Sequence, residues 1–491
     1  MKALEERVIG GGVSAESLMD EAGEQIADAV QQFFPAPGLC LAFFGKGHNG
    51  GDALVAARHL GEAGWIVHLV PAFPEEKWSE LTLKKCGEAG RCQPGLPSKL
   101  SAKPGRPIVV LDGLLGIGAT GDLRDPIRHF ACTINTLRHS VDARVFAVDL
   151  PTGLDGDHGN PAPDCVEADF TLSIGFAKSG LLADEAINHV GRLAVLPLAA
   201  LSAAAGAPAS VESQVTTPAG LAPLLPRRRF ESHKGNYGRI GIIAGSRGLT
   251  GAAVMAASAC LHAGAGLVNV FVPEEIQSVV AAVAPPEVMV KPVKSYLEVF
   301  RAGCDVVALG PGLGTQREEE ILEIIRVCES PMVIDADGLN MLARRLDLLN
   351  HCAGPRLLTP HPGEMARLDP ESKEHSRLFT VDTFVKAHPV TLLLKGARTL
   401  IAEQGRPRSY NTTGNPGMAT GGMGDVLTGV CAALAGQKLA LYDAARIGSW
   451  ICGRAAELSI SRGRESEESL SATHLIAWLG QAFRELRAGC F

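Results

Sequence analysis

The residues best suited to chemistry lie in a glycine-rich segment of the second half of the chain. Residues 414–425 have the sequence GNPGMATGGMGD, and an apolar helix is predicted to follow over 426–434. Backbone N–H groups from Gly421 to Asp425, at the start of such a helix, attract an anion such as phosphate. An acidic residue is unfavourable beside phosphate unless it has a chemical task, and deprotonating an attacking hydroxyl is the natural one for Asp425. The alternative is a structural glycine-rich helix start.

Three predicted strand ends in the first half each carry a side-chain oxygen and glycines. Residues 49–52 (Asn-Gly-Gly-Asp) follow the first of these strands, Asp112 ends the second, and Asp149 ends the third. Such oxygens suit a hard cation, and a carboxylate there could transfer a proton. Each aspartate alone is more often a helix cap or turn former, and only the three together favour a site.

Alternating apolar strands and helices must position these groups. Helices are predicted to begin near Ala53 and to cover 251–264 and 426–434. The predicted strands cover 39–44, 66–70, 108–111, 145–149 and 170–174 in the first half, and 239–244, 306–309, 332–336, 356–359 and 390–395 in the second. This alternation predicts the α/β class with parallel, doubly wound sheets, whose ligands bind beyond the carboxyl ends of the strands.

Length and composition indicate more than one domain. The chain has 491 residues, of which 46% are hydrophobic, with 56 glycines and 30 prolines, enough for two or three α/β domains. Between Ala199 and Pro226, small residues and prolines occur without periodicity, which is typical of a linker. We therefore predict a first domain over 1–212, a linker over 213–229 and a second domain over 230–491.

Charge and cysteine usage exclude several other classes. The net charge of −7 argues against nucleic-acid binding, and the short run Arg227-Arg228-Arg229 is expected to be solvated. The twelve cysteines include no Cys-x-x-Cys pair, which favours free thiols in a reducing compartment. No signal peptide is recognised, and no apolar run reaches the roughly 18 residues of a membrane span. We expect a soluble, cytoplasmic protein that does not bind membranes.

The first half resembles the NAD(P)H-hydrate epimerase family. The resemblance rests on four motifs, in order along residues 1 to about 198: SLMDEAG at 17–23, NGGD at 49–52, DGLLGIG at 112–118 and DLPTGLD at 149–155. It implies a Rossmann-like three-layer sandwich in which Asp149 touches the substrate and could act as an acid or base. His48 is a departure, because the family usually has Asn there, and this change puts one substrate contact in doubt.

The same resemblance implies two sets of ligand residues in the first half. The potassium ligands would be Asn49, Asp112 and Thr152. The residues in contact with the hydrated dinucleotide would be His48, Asn49, Gly50, Gly51, Asp52, Gly116, Ile117, Gly118, Ala119, Thr120, Gly121, Asp122 and Asp149.

The second half resembles the ribokinase-like superfamily through its Gly-Met-Gly-Asp sequence, in which Asp425 would be the catalytic base. Further motifs narrow the resemblance to the ADP/ATP-dependent NAD(P)H-hydrate dehydratase family, from about Phe230 to the C-terminus: HKGNYG at 233–238, GPGLG at 310–314, DADGLN at 335–340, TPHPGE at 359–364 and LKGART at 394–399. The resemblance implies a ribokinase-like three-layer sandwich.

Two further sets of residues follow from this second resemblance. The hydrate would contact Ala252, Gly312, His361 and Asp425. The nucleotide would be held by Lys395, Gly396, Ala397, Arg398, Thr399 and Gly424. Without their neighbours, His361 between two prolines is as well explained as a turn residue, and Lys395 as a residue at a surface edge; a phosphate contact is the better interpretation of a lysine directly before glycine.

Together the two resemblances imply a repair enzyme for hydrated NADH and NADPH (NADHX and NADPHX). It would interconvert the R and S hydrates at C6 with K⁺ and dehydrate the S hydrate with Mg²⁺ and ADP, giving AMP and phosphate. The residues do not decide between ADP and ATP, between NADHX and NADPHX, or whether the chain forms a homo-oligomer. Two alternatives stay open: a small-molecule kinase of the ribokinase type, and a first half that only binds its ligand.

Overall fold

The computed structural model describes residues 2–90, 92–97, 100, 106–118, 121–206 and 211–491. The chain divides into two compact units, Met1–Ser210 together with Phe491, and Val211–Cys490. Both units are α/β with parallel sheets, which confirms the predicted class. Within the described ranges, no helix has the length and apolar character needed to span a membrane.

The first unit is built on a seven-stranded sheet in which every neighbouring pair is parallel, with the order β3-β2-β1-β4-β5-β6-β7. Its strands are β1 (Leu39–Phe44), β2 (Ile66–Pro71), β3 (Gln93–Pro94), β4 (Ile108–Gly113), β5 (Arg144–Val148), β6 (Phe170–Ile174) and β7 (Arg192–Leu196). Successive strands are added on one side of β1 up to β3 and on its other side from β4 onward. Ligands of such sheets bind in the crevice between the two strands where this order reverses, here β1 and β4.

Helices cover both faces of this sheet. They are α1 (Lys2–Gly10), α2 (Ala15–Phe33), α3 (His48–Glu62), α4 (Glu80–Glu88), α5 (Ile127–Val141), α6 (Ile187–Val190) and α7 (Ala199–Ala205). Strand β1 shows why: Cys40, Ala42 and Phe44 pack with α2 and α3, whereas Leu41 and Phe43 pack with α5. A strand buried on both faces has a continuous apolar sequence, as observed here.

The second unit contains a ten-stranded sheet with the order β11-β10-β9-β12-β13-β14-β15-β16-β17-β8. Pairs from β11 to β15 are parallel, and β16 is antiparallel to both β15 and β17. The strands are β8 (Ser213–Val215), β9 (Arg239–Ile243), β10 (Leu267–Pro273), β11 (Met289–Val293), β12 (Val306–Leu309), β13 (Met332–Ile334), β14 (Arg356–Leu358), β15 (Thr391–Leu394), β16 (Thr399–Ala402) and β17 (Arg408–Asn411).

Helices also cover both faces of this sheet. They are α8 (Pro218–Leu221), α9 (Thr250–His262), α10 (Glu274–Val283), α11 (Glu318–Val327), α12 (Ala336–Leu342), α13 (Pro362–Leu368), α14 (Arg377–Ala387), α15 (Met423–Gly436), α16 (Leu441–Ser461) and α17 (Ala472–Ala488). One core lies under α9, α15, α16 and α17 and the other under α11 to α14. A Cβ atom on Gly429 would lie 2.1 Å from the Ala256 carbonyl oxygen, so this glycine lets α15 approach α9 closely.

The segment predicted to be a linker, 213–229, differs from that expectation in its first part. Strand β8 pairs in parallel with β17, and Leu221 and Leu225 are buried in the second unit. Pro218 occupies the first turn of α8, where its missing N–H group has no helical partner to lose, and Thr217 caps that helix. Pro218 therefore belongs to a helix start within the second unit.

Candidate active sites

The first site is built around the start of α3, at the carboxyl end of β1. The helix begins at His48 rather than near Ala53, so residues 49–52 form its first turns. Only glycine fits at two positions of the first turn: a Cβ on Gly50 would lie 2.3 Å from the Gly45 carbonyl oxygen, and one on Gly51 would lie 2.4 Å from the Met19 side chain. The first N–H groups of α3 lack helical partners and can receive an anion.

Asp112, at the end of β4, is fully buried beside Thr152. Its carboxylate accepts hydrogen bonds from the Thr152 amide at 2.8 Å, the Thr152 hydroxyl at 2.7 Å and the Leu114 amide at 3.3 Å. Burial raises the pKa of Asp112 to about 6, although these three donors act to lower it.

Asn49 joins this group through the backbone of Leu115. Its side-chain amide donates to the Leu115 carbonyl at 2.8 Å, and the Leu115 amide donates to Thr152 Oγ1 at 3.2 Å. A Cβ on Gly116 would lie 3.2 Å from Asn49 Cβ. The structure thus brings Asn49, Asp112 and Thr152 together through these contacts.

Asp149 lies directly after β5 and is buried with a positive φ of 69°, which non-glycine residues rarely adopt. Its Oδ1 accepts a hydrogen bond from the Ile174 amide at 3.0 Å and forms a buried ion pair with Lys178. Lys178 also donates to the Ile174 carbonyl at 3.0 Å and lies 3.2 Å from Ser173 Oγ. The ammonium is therefore held against the carboxylate from several sides.

Asp52, in the first half of α3, is a second buried carboxyl group near Asp149. Burial, the charge of Asp149 and, more weakly, that of Glu5 hold the pKa of Asp52 well above its usual range, while Lys178 opposes them. Asp52 therefore keeps its proton more strongly than an ordinary aspartate does, and two buried carboxyl groups with one lysine share this part of the site.

The loop after β4 carries the remaining residues expected to contact the dinucleotide. Ile117, Gly118, Gly121 and Asp122 are exposed, as is His48 at the start of α3, and Gly118 and Gly121 have φ values of 104° and 83°. Ala119 and Thr120 lie outside the described residues. The loop therefore offers a glycine-rich, exposed surface next to Asn49.

The second site is built around the start of α15. Gly422 is the N-cap, with a φ of 88°, and Met423, Gly424 and Asp425 form the first turn. The sequence predicted that this helix begins at residue 426, three residues later than observed. The catalytic candidate Asp425 therefore lies on the helix itself. The first backbone N–H groups of α15 are without helical partners and can receive an anion.

Asp335, at the end of β13, lies beneath this turn. Its Oδ1 accepts a hydrogen bond from Lys395 Nζ at 2.8 Å, and its Oδ2 accepts one from the buried Thr428 hydroxyl at 3.0 Å. A Cβ on Gly424 would lie 3.2 Å from Asp335 Oδ2 and 3.3 Å from Lys395 Nζ. The turn of α15 therefore packs directly on a buried ion pair.

The same groups set the acidity of Asp425. Burial raises its pKa to about 7, the neighbouring Asp335 carboxylate adds to the rise, and Lys395 opposes it. Burial lowers the pKa of Lys395, but Asp335 and Glu364 raise it by more, so the net shift is upward. Asp425 thus has the pKa of a general base that works near neutrality.

His361 reaches this group through Glu364. His361 is the N-cap of α13: its Nδ1 accepts from the Gly363 amide at 3.0 Å, and its own amide donates to Glu364 Oε2 at 2.8 Å. Glu364 is buried, and its Oε2 lies 3.6 Å from Lys395 Nζ. The imidazole itself is exposed and available to a ligand.

Ala252 and Gly312 are also brought together. Gly312 has a φ of 57°, and a Cβ on it would lie 2.9 Å from Ala252 Cβ. In the expected nucleotide-binding segment 395–399, Gly396 and Ala397 are exposed, whereas the Arg398 side chain is only 2% exposed. Arg398 could therefore meet a nucleotide through its backbone but not through its guanidinium.

Four polar residues of these sites were not among the predicted site residues. Lys178 completes the first site, and the second depends on three more: Asp335, Glu364 and Thr428. Asp335 and Glu364 belong to motifs that were recognised. Asp335 at a strand end and Glu364 at a helix start could therefore have been predicted as site residues. Lys178 and Thr428 carried no such signal, because only the fold brings them to their partners.

Two family models match the chain. The model of the NAD(P)H-hydrate dehydratase family matches residues 240–477, and the model described as YjeF-related protein N-terminus matches residues 15–180. The first match contains all the residues of the second site, and the other contains all those of the first.

Relatives match along nearly the whole chain. The bifunctional NAD(P)H-hydrate repair enzyme Nnr of Moorella thermoacetica is 35% identical over 503 residues, covering 96% of this chain and 92% of that protein. The enzyme of the same name from Coxiella burnetii is 33% identical and covers 98% of this chain and 97% of that protein. That from Escherichia coli is 35% identical and covers 92% and 86%.

Solved structures match part of the chain. An ADP/ATP-dependent NAD(P)H-hydrate dehydratase from Bacillus subtilis, co-crystallised with ATP and Mg²⁺, has 27% identity and a TM-score of 0.48, and covers 55% of this chain and 97% of its own. A ribokinase-like superfamily protein from Enterococcus faecalis has 25% identity and a TM-score of 0.49, and covers 56% and 96%.

The raised pKa of Asp425 can be measured directly. In protein carrying ¹³C-carboxyl aspartate, the resonance lost in Asp425→Asn should titrate with a pKa near 7. Asp335→Asn removes a negative charge that raises this pKa, so the midpoint should fall toward the ordinary aspartate range. Asp305 lies before β12, at the amino ends of the parallel strands and so away from Asp425. Asp305→Asn should therefore leave the midpoint unchanged. A wild-type midpoint near 4 would contradict the electrostatics described here.

Proposed function

The chain belongs to the bifunctional NAD(P)H-hydrate repair enzymes, and from this premise we propose which residues carry out its two reactions. It is an enzyme with NAD(P)H-hydrate epimerase and NAD(P)H-hydrate dehydratase activities. We assign epimerisation to the first unit and dehydration to the second, because the dehydratase family model matches residues 240–477. The observation that carries the dehydratase assignment is Asp425, in the first turn of a glycine-led helix, with its pKa raised to about 7.

In the first unit, the buried pair of Asp149 and Lys178 is proposed to move the protons. The hydrate has a hydroxyl group on C6, next to the ring nitrogen. A proton delivered from Lys178 lets this hydroxyl leave as water while the nitrogen lone pair forms a C=N bond. Water then adds to the other face of C6 and returns its proton to the lysine, which inverts the carbon without net consumption of any group. Asp149 holds the ammonium in place and stabilises its charge.

The cation expected in the first unit fits the residues present. Asp112 is buried with its negative charge held by hydrogen bonds from Thr152 and Leu114, and burial raises its pKa to about 6. A cation would supply the missing opposite charge, and the oxygens of Asn49, Asp112 and Thr152 are hard ligands. We propose that these three residues bind K⁺, whose charge would attract the dinucleotide phosphates. The start of α3, from His48 to Asp52, would receive those phosphates.

In the second unit, Asp425 is proposed to deprotonate the C6 hydroxyl of the S hydrate. The hydroxyl oxygen then attacks the terminal phosphorus of the nucleotide, and the bond from that phosphorus to the bridging oxygen breaks. The resulting phosphate ester is a far better leaving group than hydroxide. Phosphate departs with electron push from the ring nitrogen, and C5 loses a proton to the departing phosphate to give the dihydropyridine. With ADP the products are NAD(P)H, AMP and phosphate.

The N–H groups of Met423, Gly424 and Asp425 are proposed to hold the transferred phosphoryl group. Gly396 and Ala397 directly follow Lys395 in the chain and are exposed, so their backbone could contact the nucleotide. Ala252, Gly312 and His361 would contact the hydrate. Among the described residues, no cluster of three His, Cys, Asp or Glu side chains is placed to hold a metal ion, so we propose that Mg²⁺ arrives on the nucleotide as part of the co-substrate.

ADP is the proposed nucleotide because the chain carries both activities, as does the ADP-using form that it resembles. The two activities complement one another: hydration gives both C6 epimers, and a chiral dehydratase pocket accepts one. All twelve cysteines are free thiols, which a reducing compartment maintains, so we propose that repair takes place in the cytoplasm.

Removing either member of the buried pair should abolish epimerisation. Asp149→Asn and Lys178→Met should each lower the rate of R/S interconversion by about a hundredfold or more, the scale of general acid–base catalysis. Dehydration of the S hydrate by the same proteins should be unchanged, which shows that the chain is intact. The exposed Asp157→Asn serves as the matched control. Normal interconversion by Lys178→Met would rule out the lysine as the proton carrier.

Potassium should stabilise the first unit. At about ten times its dissociation constant, a bound ion adds about 1.4 kcal/mol to the free energy of unfolding, or roughly 3–6 °C in a unit of this size. Calorimetry should show this rise with KCl but not with LiCl at equal ionic strength, and Asp112→Asn should lose it. An equal rise in both salts, or one that survives in Asp112→Asn, would remove the proposed site.

Loss of the base should stop dehydration alone. Asp425→Asn should lower the formation of NADH from the S hydrate and ADP by at least about a hundredfold, while ADP still binds in calorimetry and epimerisation continues. In the wild type, kcat/KM for dehydration should rise with pH to a plateau, with a midpoint near 7, because only the carboxylate form of Asp425 accepts the proton. Dehydration retained by Asp425→Asn would refute its role as the base.

A further inference from the structure

The glycine-rich loop that leads to Asp425 is tied to helix α16 at its beginning. Strand β17 ends at Asn411, and the next residues run along α16. Asn411 Nδ2 donates to the Ser449 carbonyl at 3.3 Å, and Thr413 Oγ1 lies 3.1 Å from the Trp450 carbonyl oxygen. A Cβ on Gly453 would lie 2.2 Å from Thr413 Oγ1, so this glycine allows the close approach.

The last of these contacts is made by a buried carboxylate. The backbone amide of Gly414 donates to Glu457 Oε1 at 2.8 Å. Gly414 has a φ of 118°, in the region that only glycine adopts readily. A hydrogen bond to an ionised acceptor is stronger than a neutral one, so Glu457 fixes the orientation of this peptide where the chain turns into the loop.

Glu457 is itself held by a buried arginine. Arg454 is 1% exposed and donates to Glu457 Oε2 at 2.8 Å. It also donates to Glu485 Oε2, on α17, at 2.7 Å, and Arg462 contacts the other oxygen of Glu485 at 2.6 Å. Burial lowers the pKa of Arg454, but Glu457 and Glu485 raise it by more, so the arginine stays charged.

Stability alone does not account for this network. Burying charged groups costs several kcal/mol each by order of magnitude, and well-packed apolar residues are often as stable as a buried ion pair. What apolar residues could not supply is the acceptor for the Gly414 amide. The loop that begins there continues through a turn in which Asn415 accepts from the Gly417 amide at 3.0 Å, and it ends at the catalytic turn of α15.

We propose that Glu457, oriented by Arg454, is a positioning residue for dehydration that fixes the start of the loop carrying Asp425. The proposal rests on the function proposed for Asp425. Glu457 does not touch the substrate; it acts by holding the Gly414 peptide, so that the N–H groups and the carboxylate at the start of α15 meet the phosphoryl group and the hydroxyl in register. A misplacement of about 1 Å far from the chemistry can cost about a hundredfold in rate.

Two conservative variants separate positioning from stability. Glu457→Gln has one oxygen for the two donors that the carboxylate serves, so with Arg454 holding that oxygen the Gly414 amide loses its acceptor. Glu457→Asp keeps the charge but withdraws the oxygen by one methylene. If position matters, kcat should fall by about thirtyfold or more in both variants. The KM for ADP should change far less than kcat.

The control is Glu485→Gln, which weakens the hold on Arg454 from α17 without touching the loop. It should lower the melting temperature as Glu457→Gln does, with kcat unchanged. Epimerisation by every variant should equal that of the wild type and report equal protein quality. A kcat within about threefold of the wild type in Glu457→Asp, or equal losses of kcat in Glu485→Gln and Glu457→Asp, would overturn the proposal.

Hydrogen exchange tests the same contact without any enzymatic assay. The amide of Gly414 should exchange faster in Glu457→Asp and in Glu457→Gln than in the wild type. Exchange at the same rate in all three would overturn the proposal even if the wild type dehydrates the hydrate. Conversely, a wild type that forms no NADH would refute the proposed function, while the exchange rates would still decide whether Glu457 holds the loop.

Discussion

Both sites depend on the cost of placing a carboxylate in the interior of the protein at the end of a parallel strand. Transfer of an isolated charge from water is so unfavourable that each carboxylate must be paired, protonated or given hydrogen-bond donors. The molecule uses all three solutions: Asp149 is paired with Lys178, Asp335 is paired with Lys395, and Asp112 receives three donors. Asp52 and Asp425 are compensated less: burial holds the pKa of Asp52 well above its usual range and raises that of Asp425 to about 7. In the second unit, the carboxyl group whose pKa lies near neutrality is the one to which catalysis is assigned.

The backbone is strained where these carboxylates lie. Asp149 has a φ of 69°, and Ala336, which follows Asp335, has a φ of 48°. Such conformations cost about 1–3 kcal/mol each and persist where the surroundings fix them. Asp149 comes directly after β5, and Ala336 is the first residue of α12, directly after the strand-end carboxylate Asp335. Strand end, buried carboxylate and open helix N-terminus therefore recur as one arrangement, which suits substrates that carry phosphate and exchange protons.

Much of this arrangement could be predicted from sequence, because the central strands are continuous apolar runs and the glycines and aspartates are adjacent in the chain. Strands β1, β6 and β12 were predicted with their observed bounds. Short edge strands such as β3 and β8 were not, since they are two or three residues long and are defined by pairing rather than by composition. The same limit applies to side chains: Lys178 and Thr428 meet their partners across 29 and 93 residues, and no local pattern reveals such a contact. Helix starts were placed too late because glycine argues against helix, whereas here it provides the space that the first turn needs.

The measurement that tests the central claim most directly is the recovery of NADH from an R/S mixture of NADHX. The protein is mixed with the two hydrates, K⁺, Mg²⁺ and ADP, and the near-ultraviolet absorbance of NADH and the release of phosphate are followed together. The account predicts recovery of NADH beyond the S share, faster than the hydrates interconvert unaided, with one phosphate released for each NADH. Recovery that stops at the S share would contradict the role of the first unit, and no recovery with either ADP or ATP would contradict the function assigned to the second.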